Sequence, residues 1–221
     1  MTTFTGTVLV LGANGETGSR VVSNLHTKGI SARAMVRDAT KIEGLASSTT
    51  EIFTGSVLKL DELRRAMQGC GTLISTLGTK ALNNPDEIEA IDYTAIINAI
   101  QVAKEVGLNQ FILCSSIGTD NPEAIPFLAA PLRAKRRAEE ALIASGLTYT
   151  IVHPGGLRND PGSQNVLVSH TPLHGGTSIT RDDVAEVLVQ ALLQPEARNA
   201  SVYILQNPQA GLANREGLFR Q

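Results

Sequence analysis

The sequence predicts an α/β domain built on a doubly wound parallel β-sheet with helices on both faces. Strand and helix signals alternate along the chain, which is typical of βα units whose strands lie parallel. A glycine-rich turn at residues 12–18 joins the first strand to the first helix. The chain has 221 residues, of which 42% are apolar and 18% are charged. This size and composition predict one globular domain over residues 1–221.

Short apolar runs bounded by turn residues predict the strands. The first run, Thr-Val-Leu-Val-Leu at 7–11, is expected to be a buried strand. Further strands are expected at residues 31–37, 51–54, 72–76, 110–114, 148–153 and 201–205. With helices between most of them, these strands predict a sheet whose order is set by βα crossovers.

Apolar residues at the helical period, with glycine or a capping residue at the ends, predict the helices. They are expected at residues 19–28, 60–67, 88–106, 132–145 and 181–193. Gly107 ends the third of these helices and Gly146 the fourth. Thr180 is the expected N-cap of the last helix, which has Asp182 and Asp183 in its first turn.

The glycine-rich turn is the main functional signal. A strand that turns sharply into a helix leaves backbone N–H groups pointing at one spot, and the helix dipole adds positive charge there, so the spot suits a pyrophosphate. Gly12 permits the tight turn, Gly15 lets phosphate approach the backbone, and Gly18 lets helix and strand pack closely. We therefore predict a Rossmann-type dinucleotide site that includes Gly12, Asn14, Gly15, Glu16, Thr17 and Gly18.

Other binding residues are expected at the carboxyl ends of the strands, where open parallel sheets collect their ligands. Beside the pyrophosphate and the nicotinamide ribose these are Thr76, Leu77, Gly78 and Thr79, for which a simple turn is the alternative. Those after the fifth and sixth strands are Ser115, Ser116, His153, Pro154, Gly155, Gly156 and Leu157. His153 either faces the cofactor or caps the sheet. The glycines that follow favour the first interpretation, because they open the backbone to the nicotinamide amide.

The end of the second predicted strand indicates which dinucleotide binds. An acid there binds the 2′-hydroxyl of NAD, whereas an arginine accommodates the 2′-phosphate of NADP. Arg37 follows this strand's last apolar residue and Lys41 lies four residues on. Two cations beside one phosphate favour NADP(H). Asp38 lies near the position of an NAD-binding acid, and solvated surface charges are the alternative interpretation of Arg37 and Lys41.

Several motifs resemble the atypical branch of the short-chain dehydrogenase/reductase superfamily, over residues 6–205. They are the glycine loop, Val36-Arg-Asp38, Ser115-Ser116, Lys135 and the run from Thr150 to Leu157. Within that branch the chain is most similar to the flavin reductase/biliverdin reductase B group, also through Thr76–Thr79, Ser145–Leu147 and Tyr149–Val152. That group reduces FMN, riboflavin and some linear tetrapyrroles with NADPH. The resemblance therefore implies an NADP(H)-dependent reductase of a flavin, a bilin or a quinone.

The resemblance also indicates the chemistry. Conventional members use a Ser, Tyr, Lys group, for which Ser116 and Lys135 are the counterparts here, but Pro131 stands at the tyrosine position, four residues before Lys135. Without that proton donor, alcohol dehydrogenation is disfavoured, and so are epimerisation and dehydration of nucleotide sugars. Flavins and quinones take hydride at an activated centre and collect a proton from solvent. The flavin reductase group lacks the tyrosine as well.

Two motifs depart from that group. Its third-strand motif reads Gly-Asp-Val, with the aspartate at the adenine side, whereas this chain has Gly55-Ser56-Val57. Ser56 keeps a hydrogen-bonding side chain without the charge. The run from His153 to Leu157 is closer to NmrA-like relatives. A non-catalytic NADP(H)-binding redox sensor or assembly factor is therefore the alternative function.

The catalytic candidates have alternative interpretations. Ser116 is expected to reach the nicotinamide or the acceptor, or else to bond local backbone. Lys135 is expected at the ribose, although the Arg133–Arg137 run is also typical of a solvated helix face. Residues 120–131 are expected to form a long loop, in which Phe127 and Leu128 cover a planar substrate.

Composition limits the partners. The net charge of −2 predicts no nucleic-acid partner. Cys70 and Cys114 lie outside any metal or redox spacing, and Pro172 interrupts a helix between His170 and His174, so no metal site is predicted. No apolar run is long enough to span a bilayer, and the first predicted strand leaves no room for a signal peptide. We therefore expect a cytoplasmic monomer that acts on a small planar molecule.

Overall fold

The protein is built of alternating strands and helices. The computed structural model describes residues 6–41, 47–163, 165–173, 178–207 and 217–220. Within them the strands are β1 (Thr7–Leu11), β2 (Ser31–Val36), β3 (Thr50–Thr54), β4 (Cys70–Ser75), β5 (Gln110–Cys114), β6 (Tyr149–Pro154), β7 (Gly156–Arg158), β8 (Val166–Ser169), β9 (Ser178–Thr180) and β10 (Ala200–Gln206).

Eight of these strands form one sheet in the order β3-β2-β1-β4-β5-β6-β10-β8. All neighbours are parallel except β10 and β8, which pair antiparallel at one edge. The strand order reverses between β1 and β4, and this switch point opens a crevice at the carboxyl ends of the two strands. β7 and β9 form a separate parallel pair beyond the end of β6.

Helices cover both faces of the sheet. They are α1 (Glu16–Thr27), α2 (Leu60–Met67), α3 (Pro85–Ile88), α4 (Ala95–Val106), α5 (Ala129–Ala144) and α6 (Arg181–Leu193). A π-helical segment, Glu89–Thr94, joins α3 to α4. α1 packs against α6, whereas α4 packs against α2 and α5.

The core is divided by the sheet into two apolar layers. Successive side chains of a strand point to opposite faces, and β1 supplies both layers for this reason. Val8 and Val10 pack with the residues of α1 and α6, and Leu9 and Leu11 pack with those of α2, α4 and α5. The doubly wound α/β sheet predicted from the sequence is confirmed.

Several predicted boundaries are wrong. The helix expected at 88–106 is α3, the π segment and α4 in succession. The expected loop at 120–131 holds two short 3-10 turns, Pro122–Ala124 and Pro126–Leu128, and α5 begins at Ala129 rather than at residue 132. The short strands β7, β8 and β9 were not predicted, because three or four residues carry too little periodicity to be recognised.

Candidate functional site

The glycine loop (residues 12–18) is so tight that it leaves no room for a side chain at Gly12 or Gly18. Gly12 has a φ of +77°, and a Cβ on Gly18 would lie 2.1 Å from the Gly12 carbonyl oxygen. The Gly15 N–H donates to that same oxygen at 2.9 Å. α1 begins at Glu16 with no side chain capping its first N–H groups. These groups are available to an anion, so the loop fits the pyrophosphate of a dinucleotide.

Thr76 fastens the glycine loop to the neighbouring strand. Its N–H and its hydroxyl both donate to the Leu11 carbonyl oxygen at 3.0 Å. A Cβ on Gly12 would lie 2.9 Å from the Thr76 hydroxyl oxygen. Thr76 was predicted as a binding residue, and the structure uses its side chain to hold β1 and β4 together at the switch point.

Glu16 is surrounded by cations at the rim of the glycine loop. Its carboxylate lies 3.0 Å from Nε of Arg181 and 3.5 Å from Nζ of Lys80, and Asn159 donates to it at 3.5 Å. Arg181, and then Lys80, lower the pKa of the Glu16 carboxyl. Two cations that the sequence did not indicate therefore stand beside the expected pyrophosphate position.

At the end of β2, Arg37 is exposed to solvent and Asp38 is held in a local turn. Arg37 is exposed, and its side chain makes no ion pair or hydrogen bond within the described parts of the chain. Asp38 instead accepts from the N–H of Thr40 at 3.0 Å and from its hydroxyl at 2.7 Å. Lys41 ends a 3-10 turn there, and its side chain lies outside the described structure.

Lys135 reaches the loop that follows β4. Its Nζ lies 2.9 Å from Oδ1 of Asp92 and 3.4 Å from the Leu77 carbonyl oxygen. The other Asp92 oxygen accepts from the Thr79 N–H at 3.4 Å. Gly78 lies beside this pair, and a Cβ there would be 3.5 Å from Nζ. The structure thus brings Lys135 together with residues 77–79 and adds Asp92.

A buried network centred on Glu139 lies beneath the ends of β5 and β6. It consists of Ser115, Thr119, Glu139 and His153. Ser115 donates to Oε1 of Glu139, Thr119 donates to Oε2 at 3.2 Å, and Nε2 of His153 lies 3.2 Å from Oε1. Nδ1 of His153 faces the Val202 carbonyl oxygen at 3.2 Å. Because a carbonyl only accepts, Nδ1 carries the hydrogen in that bond.

The Glu139 network corrects two expectations. His153 was expected to face the cofactor, but its side chain is buried and its ring stacks on that of Tyr203 with centroids 4.4 Å apart. Ser115 was placed at the open edge, but its hydroxyl is buried on Glu139. Both side chains point inward to the carboxylate of Glu139, which accepts from the Ser115 hydroxyl and faces Nε2 of His153.

The remaining predicted residues are distributed around this edge. The Ser116 hydroxyl donates to the Ile117 carbonyl oxygen at 3.0 Å, which is the local backbone bond considered above. The Ser56 N–H donates to Glu62 at 2.6 Å. Val57, Thr17 and Pro154 are buried, Gly155 is half-buried, and Asn14, Gly156 and Leu157 are exposed.

Sequence reasoning missed Asp92 and Glu139. Asp92 lies four residues after Ile88 and three before Ala95, so helical spacing placed it on the apolar face, which was a signal that could have found it. Glu139 lies in a charged run, Arg136 to Glu140, that is typical of an exposed face. Its only signal was its place one turn beyond Lys135 in α5.

The two cysteines supply no reactive thiolate to this edge, and no metal site is formed there among the described residues. Burial raises the pKa of the Cys114 thiol to about 11 and that of Cys70 as well, so neither is a ready thiolate. Among the described residues no group of three His, Cys, Asp or Glu side chains is placed to hold a metal ion. His174 lies outside them. None of the described helices combines the length and apolar character needed to cross a membrane.

Comparison with known proteins adds independent findings. A family model described as NAD(P)H-binding matches residues 12–195. The uncharacterized sugar epimerase YhfK of Bacillus subtilis is 34% identical over 195 residues, which are 87% of this chain and 90% of that protein.

Two solved structures are similar. One, from Bacillus halodurans, bears a provisional name as an NAD-dependent epimerase/dehydratase; it is 31% identical with a TM-score of 0.86, over 92% of this chain and 95% of that one. The anaerobillin reductase ChuY of Escherichia coli O157:H7 is 25% identical with a TM-score of 0.76, over 91% and 98%. These findings agree with the resemblance to atypical short-chain dehydrogenases/reductases.

Proposed function

The chain belongs to the NAD(P)H-binding family, and from this premise we propose that it is an NADPH-dependent reductase that passes hydride to a planar conjugated acceptor. FMN is the acceptor that we expect, with biliverdin and quinones as further candidates. The similarity to the reductase ChuY supports the reaction class. The names of the other two relatives indicate epimerisation or dehydration, which would require a different chemistry.

The observation that carries the proposal is that Pro131 occupies the position of the usual catalytic tyrosine. This proline is buried in the first turn of α5, one helical turn before Lys135, where it offers no proton. The three tyrosines are engaged elsewhere. The Arg137 guanidinium lies 3.7 Å from the centre of the Tyr93 ring, and Tyr203 stacks on His153. Tyr149 is the first residue of β6, at the end of the strand away from the site. A reaction that needs a tyrosine acid or base at this site is therefore disfavoured, whereas reduction of an electron-poor ring is not.

The end of β2 supports NADPH over NADH. An NAD-dependent protein displays an acid to the ribose 2′-hydroxyl. Here Asp38 accepts two hydrogen bonds from Thr40, while the Arg37 guanidinium is exposed and uncommitted within the described residues. An exposed guanidinium at this position suits a 2′-phosphate, with which it pairs bidentately.

Two exposed apolar side chains support a flat acceptor. Phe127 is 75% exposed in the 3-10 turn before α5, and Leu157 is 40% exposed just after β6. Both segments follow the carboxyl ends of neighbouring strands, β5 and β6. Large apolar side chains left exposed at one edge are typical of a surface that a ligand covers.

The roles of the residues follow from these positions. Bound NADPH would supply the hydride. The glycine loop would bind its pyrophosphate, Arg37 its 2′-phosphate and Lys135 its nicotinamide ribose, and Phe127 and Leu157 would pack on the acceptor and exclude water. The acceptor gains two electrons and one hydrogen as hydride, and one proton from water.

Absorbance at the nicotinamide band tests the proposal. Purified protein is mixed with NADPH and, in separate assays, FMN, biliverdin or a quinone, and each rate is compared with a protein-free blank. We expect FMN-dependent oxidation of NADPH at a rate about tenfold or more above that with NADH. If no acceptor gives a rate above the blank, the proposed function is wrong. NADPH binding without turnover would favour the redox-sensor or assembly-factor alternative.

A further inference from the structure

Asp92 is a carboxylate buried in a helix that would otherwise be apolar on this face. Its side chain is 1% exposed, and it lies in the π-helical segment between α3 and α4. One oxygen is 2.9 Å from Nζ of Lys135 and the other accepts from the Thr79 N–H at 3.4 Å. Asp92 therefore links three elements: the π segment, α5 and the loop after β4.

Asp92 lies on the buried face of the π-helical segment. It stands four residues after Ile88 and three before Ala95, the helical spacing of residues that share a face. In the structure Ile88, Asp92 and Ala95 are buried and Ile91 is half-buried. Wide single turns of this kind occur frequently at functional sites.

Fold stability does not account for this pair. Desolvating two charges costs several kcal/mol, and apolar residues of similar volume often stabilise a core as well or better. The pair is also incompletely enclosed, because the Lys135 side chain remains 19% exposed. Gly78 leaves that side open, since a Cβ there would lie 3.5 Å from Nζ.

The donors of Lys135 show what the open side offers. An ammonium has three N–H donors. The Leu77 carbonyl oxygen accepts from one of them, and Oδ1 of Asp92 lies 2.9 Å from Nζ as an ion pair without hydrogen-bond geometry. Donors of Lys135 therefore remain for a ligand above Gly78. The loop that carries Gly78 is itself fixed, since the Thr79 hydroxyl donates to Glu87 at 3.0 Å and its N–H donates to Asp92.

We propose that Asp92 is a positioning residue, whose charge holds the Lys135 ammonium beside Gly78 so that a remaining donor of the ammonium reaches a hydroxyl of the nicotinamide ribose. The inference rests on the part of the proposed function that assigns NADPH to this site. It does not depend on which acceptor is reduced. Asp92 acts through Lys135, so its effect on the ligand requires that lysine.

A double-mutant cycle in NADPH affinity tests the inference. Asp92→Asn keeps an oxygen for the Thr79 N–H and removes the charge that fixes Lys135. We expect the dissociation constant for NADPH, from a fluorescence titration, to rise about tenfold in Asp92→Asn and in Lys135→Met. The double variant should bind as Lys135→Met does, because Asp92 has then lost the group through which it acts.

Glu89→Gln is the matched control. Glu89 lies in the same π segment and pairs with Arg137 of α5 at 2.9 Å, but on the exposed side. This substitution removes one carboxylate and one contact to α5 without touching Lys135, so NADPH affinity should not change. Equal losses in Glu89→Gln and Asp92→Asn would show that packing of α5, rather than Lys135 placement, is responsible, and would overturn the inference.

Other outcomes separate the inference from the proposed function. If the protein binds NADPH and Asp92→Asn binds it equally well, the inference alone is wrong. If NADPH binds in this pattern but no acceptor is reduced, the inference stands and the proposed reaction falls. If the protein does not bind NADPH, both are overturned. Should Asp92→Asn not fold, Lys135→Met is compared with the double variant, and a further loss in the double variant contradicts the inference.

Discussion

The two halves of the candidate site are built from different materials. The half at β1 and α1 is made of backbone: three glycines, uncapped N–H groups, and a turn in which a single Cβ would lie 2.1 Å from a carbonyl oxygen. The half at β5, β6 and α5 is made of buried charged side chains, Asp92 with Lys135 and Glu139 with its partners. A backbone site tolerates no added atom, whereas a side-chain site tolerates no lost partner.

The largest effect is expected where a partner is removed from the Glu139 network. Glu139→Leu keeps the volume but removes the carboxylate that accepts from the Ser115 and Thr119 hydroxyls and faces Nε2 of His153. A buried polar group that loses its partner costs about 1–3 kcal/mol, so the free energy of unfolding should fall by about 4 kcal/mol in urea denaturation.

The neighbouring residue provides the control for this prediction. Glu140 is exposed and pairs only with Arg136, one turn before it on α5, among the described residues. Glu140→Leu should change the free energy of unfolding by less than about 0.5 kcal/mol. If the two variants are equally stable, the buried network contributes nothing and the contrast between the two halves of the site is wrong.

The next effect is expected where an atom is added to the glycine loop. In Gly18→Ala the new Cβ would lie 2.1 Å from the Gly12 carbonyl oxygen and 2.8 Å from the Thr76 hydroxyl oxygen. The loop must open, so stability should fall by about 3 kcal/mol, as for an overpacked core. NADPH affinity should fall about tenfold or more, measured by the same fluorescence titration.

Gly71→Ala is the matched control for the loop. Gly71 lies in β4, and a Cβ there would meet only the Asn109 amide nitrogen, at 3.5 Å. Stability and NADPH affinity should both stay close to those of the natural protein. A normal NADPH affinity in Gly18→Ala would mean that the loop is not the pyrophosphate site.

The same contrast explains which parts of the site were predictable. The glycine loop needs only residues close in sequence, so Gly12, Gly15 and Gly18 predict both its shape and its ligand. Asp92 and Glu139 obtain their roles from residues on other elements. Neither was singled out from the sequence, because charged residues in helices are usually exposed. Ser115 and Ser116 were placed at the correct edge, but which hydroxyl turns inward depends on Glu139.

The fold was predictable for a related reason. The strands β1 and β5 and the helices α2 and α6 begin and end where apolar periodicity predicts, since each buries a full face or both faces in the core. The π segment was not, because its residues continue the helical spacing of the neighbouring apolar positions, and nothing in that spacing indicates a wider turn.

The smallest effect is expected at the rim of the backbone half, where a side chain is exposed and reaches only the ligand. Arg37→Gln removes the guanidinium that we assign to the 2′-phosphate, so the NADPH dissociation constant should rise about tenfold while that for NADH stays unchanged. Arg198→Gln is the control, since Arg198 is exposed just before the amino end of β10, away from the carboxyl ends of the strands where the site lies. An equal loss for NADPH and NADH in Arg37→Gln would show that this arginine supports the loop rather than reading the phosphate. Because Asp38 remains bonded to Thr40 in either case, stability should be the same in both variants.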